Sequence, residues 1–131
     1  MPDRLAPDDS REWLRRARSN LLQAGEPRKG VYLEDLCFQA QQAAEKALKA
    51  VLIHLGLSVP HVHDIGVLIS KLAKADQPVP EKLHQAVRLT DYAVQSRYPS
   101  PAEPVDDQEY DEVVTIARTV ITWAEGIVNG S

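Results

Sequence analysis

The sequence predicts an all-α fold, an up-and-down antiparallel bundle of about five helices. Apolar residues recur at three- and four-residue spacing along nearly the whole chain, and no segment alternates in the manner of a strand. Glycine and proline breaks divide this pattern into segments joined mostly by short connections, the arrangement of a helical bundle.

The first helix is expected to begin near Asp9, where Asp9 and Glu12 have the spacing of a capping box. It presents Trp13, Leu14, Ala17 and Leu21 on one face and Arg11, Arg15, Arg16 and Arg18 on the other, and ends at Gly25-Glu26-Pro27. The second and longest runs from about Tyr32 to Leu55. It buries Leu33, Leu36, Cys37, Ala40, Ala44, Ala47, Leu48, Val51 and Leu55, with Gly56 as its left-handed stop. A third helix opens near Asp64, carries Ile65, Leu68, Ile69 and Leu72 inward, and ends before Asp76-Gln77-Pro78. Pro80 suits the first position of a fourth, whose stripe is Leu83, Val87, Thr90 and Val94 and which Ser96-Arg97-Tyr98-Pro99 closes. Pro99, Pro101 and Pro104 then keep the chain extended. The fifth helix starts at Asp106 or Asp107, where nearby acids suit the positive end of a helix dipole. It continues through Tyr110, Val113, Val114, Ala117, Val120, Ile121, Ala124 and Ile127.

At 131 residues the chain is expected to form one domain, 1–131, with its core over about 10–128. A single cysteine, Cys37, excludes an internal disulfide, and no apolar leader follows Met1, so a cytoplasmic location is expected. No run is long enough to span a membrane. The net charge of −4 is uneven: residues 1–30 hold seven basic and five acidic side chains, residues 98–131 one basic and seven acidic. That balance excludes a strong nonspecific nucleic-acid binder but leaves room for a local basic site.

The glycines form neither a dinucleotide fingerprint nor a phosphate-binding P-loop, and no G-x-S-x-G occurs. A di-iron bundle needs two Glu-x-x-His pairs and two further inward glutamates, and the sequence offers one pair, Glu81 to His84. His61-Val62-His63-Asp64 lacks the remaining ligands of a zinc site; Asp64 is read as a helix cap and His63 as packing or hydrogen-bonding into the bundle. Cys37 lies on the apolar stripe and is read as structural. No metal or cofactor is therefore expected. On the second helix Gln41, Glu45 and Lys49 fall at i, i+4 and i+8, beside Gln42 and Lys46; taken alone, this row reads as a solvated, salt-bridged face.

The company of that row changes the reading. The run from Cys37 through Gln41-Gln42-Ala43-Ala44-Glu45-Lys46-Ala47-Leu48-Lys49 to Leu52, then His63-Asp64-Ile65 with Leu68, then Ser96-Arg97-Tyr98-Pro99 before an acid-capped last helix, resembles the HEPN domain family (higher eukaryotes and prokaryotes nucleotide-binding). The resemblance spans about residues 10–128. It implies a helical homodimer, often paired with a minimal nucleotidyltransferase in toxin–antitoxin-like systems, and in several branches a metal-independent ribonuclease carrying Arg-x(4-6)-His. Arg97 stands at the arginine position, but Ala102, Glu103 and Pro104 stand where the histidine would be. RNA cleavage needs a group that exchanges protons near neutral pH, so the expectation is a noncatalytic module; the alternative is a divergent ribonuclease whose histidine is replaced in space. The resemblance implies a groove for nucleotide, RNA or partner built from Gln41, Glu45, Lys46, Lys49, His63, Asp64, Arg97 and Tyr98.

Overall fold

A computed structural model describes residues 4–95 and 104–130. The elements are α1 (Ser10–Ala24), α2 (Leu33–His54), α3 (Ile65–Lys74), a 3₁₀ helix (Glu81–Leu89), α4 (Thr90–Gln95) and α5 (Asp107–Val128). No strand occurs among the described residues.

α2 is the central element. Its alanine-rich inner surface, Ala40, Ala43, Ala44, Ala47 and Ala50, is fully buried and lets α1 and α5 pack closely, while Leu48, Val51 and Leu52 fill the space beneath α3 and the 3₁₀ helix. α1 runs antiparallel to both long helices: Asn20 meets Gln39 and Lys46, while Arg18 pairs with Glu125 and the Tyr110 hydroxyl donates to the Ala24 carbonyl. α2 and α5 therefore run side by side in one direction. The intervening α3, 3₁₀ helix and α4 return the chain to the start of α2, where the Val105 amide donates to Glu34 at 3.0 Å.

Local chemistry fixes the helix ends. The Asp9 carboxylate accepts from the Arg11 amide, and Asp106 from the Glu109 amide, as N-caps. Glu12 does not complete the expected capping box. Its carboxylate accepts instead from the Leu5 amide at 2.9 Å and from Arg16, holding the N-terminal segment onto α1. α2 stops at Gly56, whose φ of +75° allows Leu57 N–H to reach Leu52 O and Gly56 N–H to reach Ile53 O. α3 ends in the same hydrogen-bond pattern at Asp76, with φ +61°. Asp64 caps α3, accepting from Gly66 N at 2.8 Å and more distantly from Val67 N. Asp64→Ala should lower stability by about 1 kcal/mol, read as a shift in the urea midpoint with unchanged slope.

Two expectations need correction. Leu55, placed on the buried stripe of α2, is the C-cap residue and is 38% exposed, because the helix has already ended at His54. The expected fourth α-helix is a 3₁₀ helix followed by one short α-helical stretch. The 3₁₀ helix turns Leu83, Ala86 and Leu89 inward, at strict three-residue spacing, and α4 then buries Tyr92 and Ala93, while Val87 is 41% exposed. With three residues per turn these positions stack on one face. In an α-helix the same spacing would drift about 60° per step and carry Leu89 away from Leu83. The Val94 side chain lies outside the described residues.

Candidate ligand and partner groove

Gln41, Glu45 and Lys49 share one face of α2, one turn apart, and the loop entering α3 lays His63 over them. The row is not the solvated face that its composition suggests, since all three are buried. Burial demands partners, and each has them. Glu45, its side chain only 5% exposed, accepts from Lys49 Nζ on Oε2 at 3.0 Å. Its Oε1 accepts from Gln41 Nε2 at 2.9 Å and lies 3.0 Å from His63 Nδ1. Gln41 Oε1 in turn accepts from Gln42 Nε2 at 2.7 Å. Burial by itself pushes the Glu45 carboxyl up, but the hydrogen bonds from Lys49, Gln41 and His63, with the Lys49 charge, overcome it and hold the group below the usual glutamate range.

An ionised Glu45 needs a proton on Nδ1 of the facing imidazole. The carboxylate therefore selects the Nδ1–H tautomer when His63 is neutral, leaving Nε2 as the free ring nitrogen. The His63 side chain is 57% exposed, so the network has a dry floor and one solvent-facing ring.

The other expected groove residues behave differently. Asp64 is exposed beside His63, but its Oδ1 is turned to the α3 amides. Lys46 points toward α1, where Nζ donates to Asn20 Oδ1 at 2.8 Å. Burial and the nearby Arg16 charge pull its ammonium below the ordinary lysine range. Arg97 and Tyr98 lie outside the described residues.

Several polar neighbours that tie the elements together were not legible in the sequence. Asn20 is buried and links Lys46 to Gln39 Oε1, and its signal was a polar residue at an apolar position between Ala17 and Ala24. Thr90, assigned to an apolar stripe, accepts the Ile65 amide at 3.0 Å through its hydroxyl and so ties the start of α3 to α4. Glu109 receives the Tyr92 hydroxyl, joining α4 to α5. Beneath them Cys37 is fully buried. Burial first, then the Glu109 and Glu34 charges, push its thiol up to about 12, the reverse of nucleophile activation. Among the described residues no group of three His, Cys, Asp or Glu side chains could hold a metal ion, and no helix is long and apolar enough to cross a membrane.

The fold has counterparts in other proteins. The family model of the HEPN domain matches residues 10–127, nearly the whole chain. The chain belongs to the HEPN family. Two solved structures resemble this HEPN protein over almost their full length. TT1696 from Thermus thermophilus is 36% identical with a TM-score of 0.79, covering 90% of this chain and 97% of that one. ST0689, described as an archaeal HEPN homologue, is 28% identical with a TM-score of 0.74, covering 92% and 98%. No curated protein matches this HEPN chain in sequence.

Proposed function

We propose that the chain is a single, noncatalytic HEPN module. It works in the cytoplasm as a homodimer that partners a minimal nucleotidyltransferase in a toxin–antitoxin-like pair and binds nucleotide or RNA in the groove above α2. The observation that carries the reading is the Gln41–Glu45–Lys49 floor, dry and internally paired, beneath an exposed His63 and Asp64. A floor whose charges compensate one another supports a rigid recognition surface. Arg97 and Tyr98 join it on the strength of the family resemblance, Arg97 to pair with phosphate or carboxylate and Tyr98 to stack on a base. The absence of histidine from positions 102–104 supports the noncatalytic part.

The purified chain mixed with its candidate nucleotidyltransferase at micromolar concentration should elute as a complex, and alone it should scatter light as a dimer. A monomer that ignores the nucleotidyltransferase would overturn the reading. RNA incubated with the chain should stay intact. Cleavage by the wild type that disappears in a folded Arg97→Ala variant would replace the binding module with the divergent ribonuclease.

A further inference from the structure

We propose that the seam between α1 and α2 holds a phosphate group, bound by Lys46 of α2 and Arg16 of α1. The site is separate from the groove above α2 and does not rest on that reading. Successive residues of an α-helix point about 100° apart. Glu45 faces Lys49 and His63, whereas Lys46 faces α1.

The first observation is a cation without a counter-charge. Lys46 is half-buried, and its Nζ donates to a neutral amide, Asn20 Oδ1, at 2.8 Å. Among the described residues no carboxylate bonds to it. Lys49, one turn away in the same helix, shows how a buried ammonium is normally accommodated, by a carboxylate at 3.0 Å. Asn20 is itself buried and fixed by Gln39 Oε1 at 2.6 Å. It holds the Lys46 amine in place but supplies no negative charge.

The second observation is a cation with donors to spare. Arg16 precedes Asn20 by one turn, on the same face of α1. Its Nε donates to Glu12 Oε2 at 2.8 Å, and its terminal N–H groups carry no hydrogen bond among the described residues. Glu12 is buried and also accepts the Leu5 amide, so its oxygens are committed.

The local charge is net positive. The charges acting on the Lys46 ammonium are those of Arg16, Glu45 and Lys49, and burial followed by Arg16 pulls it below the ordinary lysine range. With Glu12 included, three cations meet two carboxylates, and both carboxylates are already paired, Glu45 with Lys49 and Glu12 with Arg16. The charge left over is that of Lys46. A phosphate monoester suits the pair, because its several oxygens reach the ammonium and the guanidinium fork together and its charge at pH 7 exceeds one. Lysine and arginine are both cations at neutral pH, so binding requires no proton uptake.

The whole chain would be titrated at pH 7 and constant ionic strength, with chloride replaced by inorganic phosphate. A second series uses adenosine 5′-monophosphate, with adenosine as its control. NMR of the lysine ε-methylene groups reads Lys46 directly, its resonance being the one that Lys46→Gln lacks. Urea unfolding reads the linked gain in stability. Lys46→Gln keeps a donor for Asn20, and Arg16→Gln keeps one for Glu12, while each removes a charge. The Lys46 resonance should move saturably with both phosphates. Affinity should fall at least about tenfold in Arg16→Gln, the loss of one charge-assisted hydrogen bond, and the stability gain should vanish in Lys46→Gln. Lys82→Gln, at an exposed position of the 3₁₀ helix, should bind as the wild type does.

Saturation by both probes assigns free phosphate as sufficient, and saturation by the monophosphate alone assigns the phosphate of a nucleotide; either supports the site. A Lys46 resonance that does not move, or that moves without saturating as with an adventitious ion only, would overturn it. So would adenosine acting as strongly as its monophosphate, or phosphate stabilisation that survives in Lys46→Gln as general salt exclusion. Each of these results leaves the Gln41–Glu45–Lys49 groove untouched.

Discussion

Glu45→Ala is expected to cost at least about 3 kcal/mol of stability at pH 7, the loss typical of a buried ion pair broken from one side. The variant leaves the Lys49 ammonium buried without its counter-charge and removes the acceptor shared by Gln41 and His63. Replacing both members of the pair should be far milder. A Glu45→Leu, Lys49→Met double variant fills the same space without a charge to solvate, and most of the lost stability should return. Urea unfolding of the wild type, Glu45→Leu, Lys49→Met and the double variant measures the coupling directly, with Glu45→Ala beside them. If Glu45→Ala and the double variant were equally unstable, the cost would lie in packing and not in the stranded ammonium. The same network sets an acid dependence. Glu45 is held below the usual value of 4.5, so its contribution is fully present above that value and is lost as pH falls through the lower value of the folded state. The stability gap between wild type and Glu45→Ala should therefore narrow on acidification.

The bundle was legible in the sequence wherever one period ruled. α1, α2, α3 and α5 begin and end within about two residues of their expected bounds, because Asp9, Asp64 and Asp106 are strong caps and Gly56 is a strong stop. The groove was legible in part. Spacing put Gln41, Glu45 and Lys49 on one face, but spacing does not say whether that face meets water or protein. The loop carrying His63 meets it, through a contact 18 residues distant in sequence from Glu45. The resemblance put Lys46 in the groove as well, next to Glu45 in sequence. One step along a helix is a turn of about 100°, enough to send it to α1. Asn20, its partner there, belongs to another helix and left only a polar gap in an apolar stripe.

The largest local disagreement, the register of the 3₁₀ helix, yields the other large expected effect. Leu89→Ala should destabilise by about 3 kcal/mol, within the range of buried leucine truncations, because Leu89 is fully buried among the core residues. Val87→Ala should change stability by less than about 0.5 kcal/mol, as at other exposed positions. An α-helical register built on Leu83, Val87, Thr90 and Val94 demands the opposite order, with Val87 the costly site. The apolar residues themselves allowed both readings, because Leu83 belongs to either set. Next to Leu89, Thr90 turns its hydroxyl toward α3, where it accepts the Ile65 amide and fixes the entry of the helix that follows His63. The register of this segment therefore bears on the groove as well as on the core. Thr90→Val, which keeps the shape and removes the acceptor, should loosen that entry and increase hydrogen exchange at the Ile65 amide, while Val87→Ala should leave that exchange unchanged.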